Sequence, residues 1–551
     1  MTQDDEQSEG SWPTHDTDDH DADDAAAAPH GGPPAGDTTG HAPGTAETAG
    51  TAETSGTAES AGAAGATGAD ATTEPQPAGE LGLSAGRRVS RRVMATASLA
   101  VVALVVVVLA LPPVSNRLML PWAPNKPDAD PPEATAVDRT LHGPLTGTRH
   151  QPAPREVTEV LQGALDDSAL GELTGLVVDA ASGETVWQDS PQRPRVPAST
   201  TKVLTSAAAL LSMPRDRRIP TEVVAGDEPG TVVLVAGGDV TLSSLPEGEE
   251  SVYPDAAHLD ELVKQVKSAT DGDVERVALD LSVYSGKTAA PSWEDEDTKY
   301  FTADAVPAML DGGRQDPTAT ESERVDNPAG KLLHEFADRL GAEAAEDSTV
   351  TAPDDARSLG MVKSAPLATL VRRCLQLSDN VLADALARQI AMHENEEVSF
   401  SGAARAIHQV LAQHGFDVEG LRLFDGSGLS DQNRASASLL AEILTVAADP
   451  TTGSGERAAA LGPVLAGLPV AGGTGTLAER YDEAPAKQGR GWVRAKTGTL
   501  SKVSTLAGTV LDSDGRLLVF AFMSSGTDFA VARPALDALA AKLRSCGCDG
   551  H

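Results

Sequence analysis

The chain has 551 residues and a formal net charge of −38 at pH 7. This excess of negative charge argues against nucleic acid and anionic lipid surfaces as partners. The three cysteines match the spacing of neither a disulfide framework nor a zinc site: Cys374, Cys546 and Cys548. The charge therefore indicates solubility, and the cysteines point to no particular chemistry.

Residues 1–86 differ sharply in composition from the rest of the chain. They contain 17 Asp or Glu and no Lys or Arg, and they are rich in Ala, Gly, Thr and Pro. A segment with so few large apolar side chains cannot bury a core that offsets the entropy of ordering it. This composition predicts a disordered, acidic, cytoplasmic tail.

A basic flank and an apolar run follow at residues 87–112. Val93 to Leu111 are 19 uncharged, mostly apolar residues, enough to cross about 30 Å of hydrocarbon as a helix. Four arginines before this run place the N-terminus in the cytoplasm: Arg87, Arg88, Arg91 and Arg92. A cleaved signal peptide is the alternative, but no clear Ala-x-Ala site follows. We expect a single-pass protein of the cell membrane, with an extracytoplasmic linker at residues 113–153 leading to the exported portion.

The exported portion shows strand signals at both of its ends. Two β-hairpins are predicted, one over residues 175–187 and one over residues 502–523. A helix over residues 203–211 follows Pro197, whose fixed φ suits a first helical turn, and another helix is predicted over residues 530–543. Strands at both ends with helices between them predict an α+β core that closes on itself.

Three short motifs occur in order along this portion: Ser199-Thr200-Thr201-Lys202, Ser378-Asp379-Asn380 and Lys496-Thr497-Gly498. Taken singly, they are also typical of an ordinary helix start, an Asx turn and a solvated strand end. Together and in this order they are the signature of penicillin-binding proteins and class A β-lactamases. No histidine lies within ten residues of any of the three, which makes a Ser-His-Asp triad the weaker mechanism.

The spacing of the first motif has a chemical meaning. Residues i and i+3 share one face of a helix, so Lys202 can reach the hydroxyl of Ser199. A lysine takes a serine proton only where burial or nearby positive charge keeps it neutral, and Lys496 is the expected source of that charge. Ser199 at a helix start and Gly498-Thr499 on an edge strand are expected to offer backbone N–H groups to an oxyanion.

With these motifs the sequence resembles the serine D-alanyl-D-alanine carboxypeptidases/endopeptidases, the class C low-molecular-mass penicillin-binding proteins of the DacB type. Further stretches in the same order carry the resemblance: Val235–Asp239, Asp280–Ser282, Trp293 with Tyr300, Asp311–Arg314, Asp425–Ser430 and Gly475–Leu477. The resemblance implies the penicillin-binding-protein/β-lactamase-like transpeptidase fold, an antiparallel sheet with flanking helices, over residues 154–548.

The distance between the first two motifs bears on the class of enzyme. Ser199 and Ser378 are 179 positions apart, whereas the corresponding gap in class A β-lactamases is much shorter. The resemblance therefore implies an inserted subdomain at about residues 215–350. A β-lactamase remains an alternative function, and so does a catalytically inactive wall-binding protein of the same fold.

The resemblance also implies a role for each motif residue. Ser199 would attack the D-Ala-D-Ala carbonyl, Lys202 would be the general base, and Ser378 would relay a proton to the leaving amine. Asn380 would hold the acyl peptide. The remaining substrate-binding residues are Lys496, Thr497, Gly498 and Thr499, which lie on one strand. Lys496 and Thr497 would bind the terminal carboxylate, and Thr499 would lend an oxyanion N–H.

The implied reaction is hydrolysis of peptidoglycan peptides, by trimming a terminal D-Ala, by cutting a cross-link, or by both. It needs no metal and no cofactor. β-Lactams resemble the same dipeptide and would acylate Ser199 as inhibitors.

Overall fold

The computed structural model of the chain describes residues 154–293, 298–448 and 455–546. The predicted tail at 1–86, the predicted membrane segment at 87–112 and the predicted linker at 113–153 lie outside these residues. Among the helices that are described, none is both long enough and apolar enough to span a bilayer.

Helices and strands are numbered here in chain order within the described residues. The helices are α1 Pro154–Leu165, α2 Thr201–Ser212, α3 Leu259–Ala269, α4 Thr298–Phe301, α5 Pro328–Leu340, α6 Leu367–Leu377, α7 Asn380–His393, α8 Phe400–Gln413, α9 Ala437–Ala448, α10 Gly455–Gly467 and α11 Phe529–Lys542. The strands are β1 Glu172–Asp179, β2 Thr185–Asp189, β3 Pro220–Ala225, β4 Thr231–Ala236, β5 Arg276–Asp280, β6 Glu343–Thr349, β7 Ser358–Lys363, β8 Val493–Leu500, β9 Val503–Leu511 and β10 Leu517–Ser525.

The first sheet joins the two ends of the described chain. Its strand order is β2-β1-β10-β9-β8, and every neighbouring pair is antiparallel. β1 pairs with β2 and β9 with β10, so both predicted hairpins are confirmed. β1 also pairs with β10 along its whole length, from Glu172 opposite Ser525 to Asp179 opposite Leu518. The predicted core that closes on itself is therefore present, with β8 at one edge.

Both faces of this sheet are buried. Successive side chains along a strand point to opposite faces, and here the residues on both faces are apolar. Val177 lies in one apolar core with α1 and α11, whereas its neighbours Leu176 and Val178 lie in another. The second core is the larger and contains side chains of α2 and of α6 to α10. The predicted antiparallel sheet with flanking helices is confirmed.

A second sheet is built from the stretch of chain between α2 and α6. Its order is β6-β5-β4-β3-β7, with β4, β5 and β6 parallel and β3 antiparallel to both of its neighbours. Helices α3 and α5 connect the parallel strands and pack their apolar faces on the sheet, in a separate core that includes Leu262, Phe336 and Leu234. The last strand, β7, ends at Lys363, beyond the limit near residue 350 expected from the sequence.

Candidate active site

The turn before α2 carries Ser199. A 3₁₀ turn over Ala198–Thr200 leads into the helix, with Pro197 as its N-cap. Two threonine hydroxyls tie the turn to its own carbonyls: Thr200 Oγ1 donates to the Pro197 oxygen at 2.6 Å and Thr201 Oγ1 to the Ala198 oxygen at 2.9 Å. Ala198 is held at φ 46°, a conformation that costs energy outside glycine and clusters at functional sites. Ser199 remains partly exposed between buried neighbours.

Lys202 points back at Ser199, as the helical spacing predicts. Its Nζ lies 3.1 Å from Ser199 Oγ and 2.6 Å from both Asn380 Oδ1 and the Ser427 carbonyl oxygen. A neutral amine has two N–H donors and one lone pair. Because the two oxygens can only accept, they take the two donors and leave the lone pair for the Ser199 proton. Complete burial favours that state, since it lowers the pKa of Lys202 below the usual lysine range.

Ser378 lies in a left-handed link between two helices. It caps the end of α6 at φ 58° and ψ 37°, and Asp379 then caps the start of α7 by accepting from the Leu382 N–H at 3.0 Å. The left-handed residue ends the first helix, and Asn380 opens the second one. Asn380 also donates from Nδ2 to the Phe301 carbonyl at 3.1 Å, so its Oδ1 is oriented toward Lys202.

A buried ion pair between Asp379 and Arg314 holds this link, and Arg314 belongs to the chain segment that also forms the second sheet. Asp379 Oδ2 lies 2.7 Å from Arg314 Nη2 and 2.7 Å from the Tyr253 hydroxyl, and Arg314 Nη1 donates to that hydroxyl at 2.6 Å. Burial alone would raise the pKa of Asp379, but the charges of Arg314 and Arg324 and the hydrogen bonds from Leu382 and Arg314 together outweigh it and hold that pKa far below the usual range. The sequence named Asp311–Arg314 only as a similar stretch, so this partner of Asp379 was missed.

Lys496 on β8 is the partner of Ser378. Its Nζ lies 2.8 Å from Ser378 Oγ and 2.7 Å from the Thr497 carbonyl oxygen. Burial and then the Lys202 charge lower the pKa of Lys496 well below the usual range. The expected influence of Lys496 on Lys202 is not what lowers the pKa of Lys202, because burial does so; the pKa of Lys496 is lowered by its own burial and, whenever Lys202 is charged, by the repulsion between the two.

Gly498 allows the edge strand to approach the Ser199 turn. A Cβ at this position would lie 2.1 Å from Thr505 Oγ1 and 2.8 Å from the Pro197 carbonyl oxygen. Thr505 Oγ1 itself donates to that oxygen at 2.8 Å, which ties β9 to the turn. Only a residue without a side chain fits between them. Thr497 and Thr499, on either side of Gly498, share the opposite face of the strand.

The loop at Asp425–Ser430 packs against Lys202 and the turn that carries Ser199. Its Ser427 carbonyl accepts from Lys202, and a Cβ on Gly428, at φ 83°, would lie 1.9 Å from the Ala198 oxygen. Asp425 organises the loop by accepting from the Gly428 and Ser430 N–H groups at 2.7 and 2.6 Å. Sequence reasoning missed Ser427, because a backbone carbonyl leaves no signal beyond the glycine-rich pattern around it.

The structure thus brings all three motifs together. Direct hydrogen bonds link the first motif to the second through Lys202 and Asn380, and the second to the third through Ser378 and Lys496. All eight residues singled out from the sequence lie in or beside this arrangement.

The model of the D-Ala-D-Ala carboxypeptidase 3 (S13) family matches residues 157–324 and 314–545. The chain belongs to this family. It is 41% identical over 457 residues to carboxypeptidase DacB of Mycolicibacterium smegmatis, which covers 82% of this chain and 96% of that protein. A carboxypeptidase of Mycobacterium tuberculosis is 41% identical over 411 residues, or 74% of this chain and 87% of that protein. The predicted enzyme class, a serine-type D-Ala-D-Ala carboxypeptidase/endopeptidase, is confirmed.

A solved structure agrees with the fold. Penicillin-binding protein 4 (DacB) from Haemophilus influenzae superposes with a TM-score of 0.56 at 18% identity, over 71% of this chain and 98% of that one. The same protein has been solved in complex with a β-lactam, and that structure gives a TM-score of 0.52. At this identity the similarity concerns the fold alone.

Proposed function

We propose that Ser199 is the nucleophile of this carboxypeptidase and that Lys202 is its general base. The observation that carries the proposal is the contact of 3.1 Å between Lys202 Nζ and Ser199 Oγ, with the other two short contacts of Nζ occupied by carbonyl-type oxygens. The amine lone pair is then directed at the hydroxyl whose proton it must take.

In the proposed acylation, the Ser199 proton moves to Lys202 as Oγ bonds to the carbonyl carbon of the penultimate D-Ala. When the tetrahedral intermediate collapses, the C–N bond breaks and the leaving amine takes a proton from the hydroxyl of Ser378, which in turn recovers the proton that Lys202 took from Ser199. The contact of 2.8 Å with Lys496 supports this role, because a cation beside a hydroxyl favours loss of its proton. An ester between Ser199 and the peptide remains.

The same arrangement supports the proposed substrate-binding roles. Lys496 and Thr497 attract the terminal carboxylate, and Asn380 holds the acyl peptide. Gly498 keeps the strand close to the turn, so that the N–H groups of Ser199 and Thr499 reach the same oxyanion. A water molecule then hydrolyses the ester and releases the shortened peptide.

β-Lactams would acylate the same serine, because their ring amide stands where the D-Ala-D-Ala peptide bond stands. Two outcomes separate the candidate functions. A long-lived adduct is expected of a penicillin-binding protein, whereas rapid turnover of the drug would indicate a β-lactamase.

The test uses the full-length chain, a fluorescent penicillin and the Ser199→Ala variant as matched control. We expect intact mass to show one adduct on the wild-type protein and none on the variant. An equal adduct on Ser199→Ala would refute Ser199 as nucleophile, and a folded wild-type protein without any adduct would favour the inactive wall-binding alternative.

We also propose the arrangement of the chain in the cell. The apolar run at residues 93–111 would anchor it, with the cytoplasmic tail at 1–86 before it and the catalytic domain at 154–548 outside. The second sheet would be an inserted subdomain of that domain. Protease added to intact spheroplasts should remove the catalytic domain and spare the tail; protection of the domain would overturn the arrangement.

A further inference from the structure

Arg533 on α11 reaches the strand that carries the third motif. Its Nε lies 3.0 Å from Thr499 Oγ1, and its guanidinium stacks on Phe529 at 4.7 Å from the ring centroid. The side chain is half-buried beside the site. The sequence assigned no role to it.

The chemistry of this contact fixes the direction of the Thr499 hydroxyl. A guanidinium carries only donors, so Thr499 Oγ1 must accept from Arg533. The proton of that hydroxyl therefore points to some other acceptor. Thr497 differs, since its Oγ1 lies 2.8 Å from the hydroxyl of Thr476 and either oxygen can be the donor.

The nearest carboxylate on its own helix offsets the charge of Arg533 only in part, because it is shared with a second arginine. Asp537, one turn further along α11, is bound by Arg480 through contacts of 2.8 and 2.7 Å. Burial, and then the Arg480 charge, lower the pKa of Arg533. Arg480 also contributes to the lowered pKa of Lys496, after burial and Lys202. Arg533 therefore adds positive charge beside β8 that Asp537 offsets only in part, and an incoming anion would be attracted to it.

We infer that Arg533 is a positioning and specificity residue for the free C-terminal carboxylate of the substrate. It turns the Thr499 hydroxyl into an obligatory donor and adds positive charge next to the hydroxyls of Thr497 and Thr499. The inference rests on the proposed function, in which this end of β8 binds the carboxylate. It selects acyl-D-Ala-D-Ala peptides with a free carboxylate over those whose terminus is an amide.

The experiment compares two substrates, a diacetylated tripeptide ending in D-Ala-D-Ala and the same peptide ending in a carboxamide. The variant Arg533→Gln removes the charge, and Arg533→Lys keeps it without the planar fork. Arg544→Gln is the matched control, because Arg544 lies just beyond the end of α11 and, like Arg533, stacks on an exposed aromatic ring, Trp492, at 4.2 Å from the centroid.

For the free carboxylate we expect Arg533→Gln to lower kcat/KM about tenfold, mainly through KM, as expected for loss of one charge-assisted contact. The carboxamide should change by less than about twofold, and Arg533→Lys should recover part of the preference. Arg544→Gln should leave the ratio of the two substrates at the wild-type value.

An equal fall for both substrates would mean a purely structural Arg533, and a wild-type protein without any preference for the carboxylate would also overturn the inference. Penicillin labelling of Ser199 in the same variants separates this failure from failure of the proposed function. If Arg533→Gln is labelled like the wild type but its ratio of the two substrates is unchanged, only the inference about Arg533 is contradicted. If Ser199→Ala is still labelled, the assignment of Ser199 as nucleophile is contradicted.

Discussion

The two turns that carry the serines of the site are held in different ways. Around Ser199 the restraints are mostly local and uncharged, with threonine hydroxyls bonded to the carbonyls of Pro197 and Ala198. The turn at Ser378 is held by a buried ion pair to Arg314, 65 positions away from Asp379. The serine-lysine contacts differ in the same way. Ser199 and its partner Lys202 are three positions apart, whereas Ser378 and Lys496 are 118 positions apart.

This difference separates two kinds of vulnerability. Loss of one neutral hydrogen bond costs little, because the remaining local bonds still define the turn. Loss of one member of a buried ion pair leaves an uncompensated charge in an apolar interior and costs much more. Substitutions at the Ser199 turn should therefore lower the acylation rate more than the stability. Substitutions at the Ser378 turn should lower the stability more.

The largest expected effect is on chemistry at the Ser199 turn. Lys202→Met should lower the acylation rate by about a thousandfold or more, because it removes the proposed base. Its apolar side chain suits the buried position, but the Asn380 and Ser427 oxygens lose a donor, so the thermal midpoint should fall modestly. Lys202→Arg keeps a cation that cannot act as a base and should be just as slow. Stopped-flow labelling with penicillin checks both variants, and a rate within tenfold of wild type would contradict the role of Lys202.

The next effect is on folding at the Ser378 turn. Arg314→Met should lower the free energy of unfolding by about 3–5 kcal/mol, because it strands the buried charge of Asp379. Thr505→Val, which removes one neutral bond to the other turn, should cost only about 1 kcal/mol. Urea unfolding followed by circular dichroism measures both values. Equal losses would erase the difference between the two turns.

The double variant Arg314→Met with Asp379→Asn sharpens this test, since removing both charges should recover part of the loss. The pH dependence has a defined sign. Because the folded-state pKa of Asp379 lies below its unfolded value, its stabilisation is complete above about pH 4 and fades as the pH falls further. The double variant should lack this acid-sensitive part.

A smaller effect is expected where the edge strand meets the Ser199 turn. Gly498→Ala would bring a methyl group into contact with Thr505 Oγ1 and the Pro197 oxygen, and the strand must move away. A displacement of about 1 Å should slow acylation about a hundredfold. Gly462→Ala on α10 is the control, because nothing lies within 4 Å of its Cβ position. Similar acylation rates in the two variants would show that this close approach is dispensable.

The smallest effect is the pH dependence of kcat/KM, which reports the different protonation states that Lys202 and Lys496 need. Lys202 must be neutral to take a proton and Lys496 must be charged to attract a carboxylate, while the pKa of each is lowered from its usual value. The kcat/KM should therefore be bell-shaped, rising with pH through the lower of the two lysine pKa values and falling through the higher, by about tenfold per pH unit on each limb. A profile that stays flat from pH 5 to 10 would contradict the assignment.

Several features of this protein follow from local sequence alone. The Ser199 and Lys202 pair is predicted because helix geometry brings residues i and i+3 together wherever the helix forms. The hairpins at β1–β2 and β9–β10 are predicted for the same kind of reason, since alternating apolar strands around short polar turns specify their own pairing. The three motifs in order indicated a serine acyl-enzyme of the penicillin-binding-protein and β-lactamase group, and the gap of 179 positions between Ser199 and Ser378 favoured the first over a class A β-lactamase.

Tertiary structure decided the rest, because these contacts join residues that local geometry does not relate. Arg314 meets Asp379, Ser427 meets Lys202 across 225 positions, and Arg533 meets Thr499 only once the second sheet, the glycine-rich loop and α11 have packed around the turns. The cause of the lowered pKa of Lys202 was likewise decided by burial rather than by Lys496, because desolvation depends on everything that surrounds a side chain.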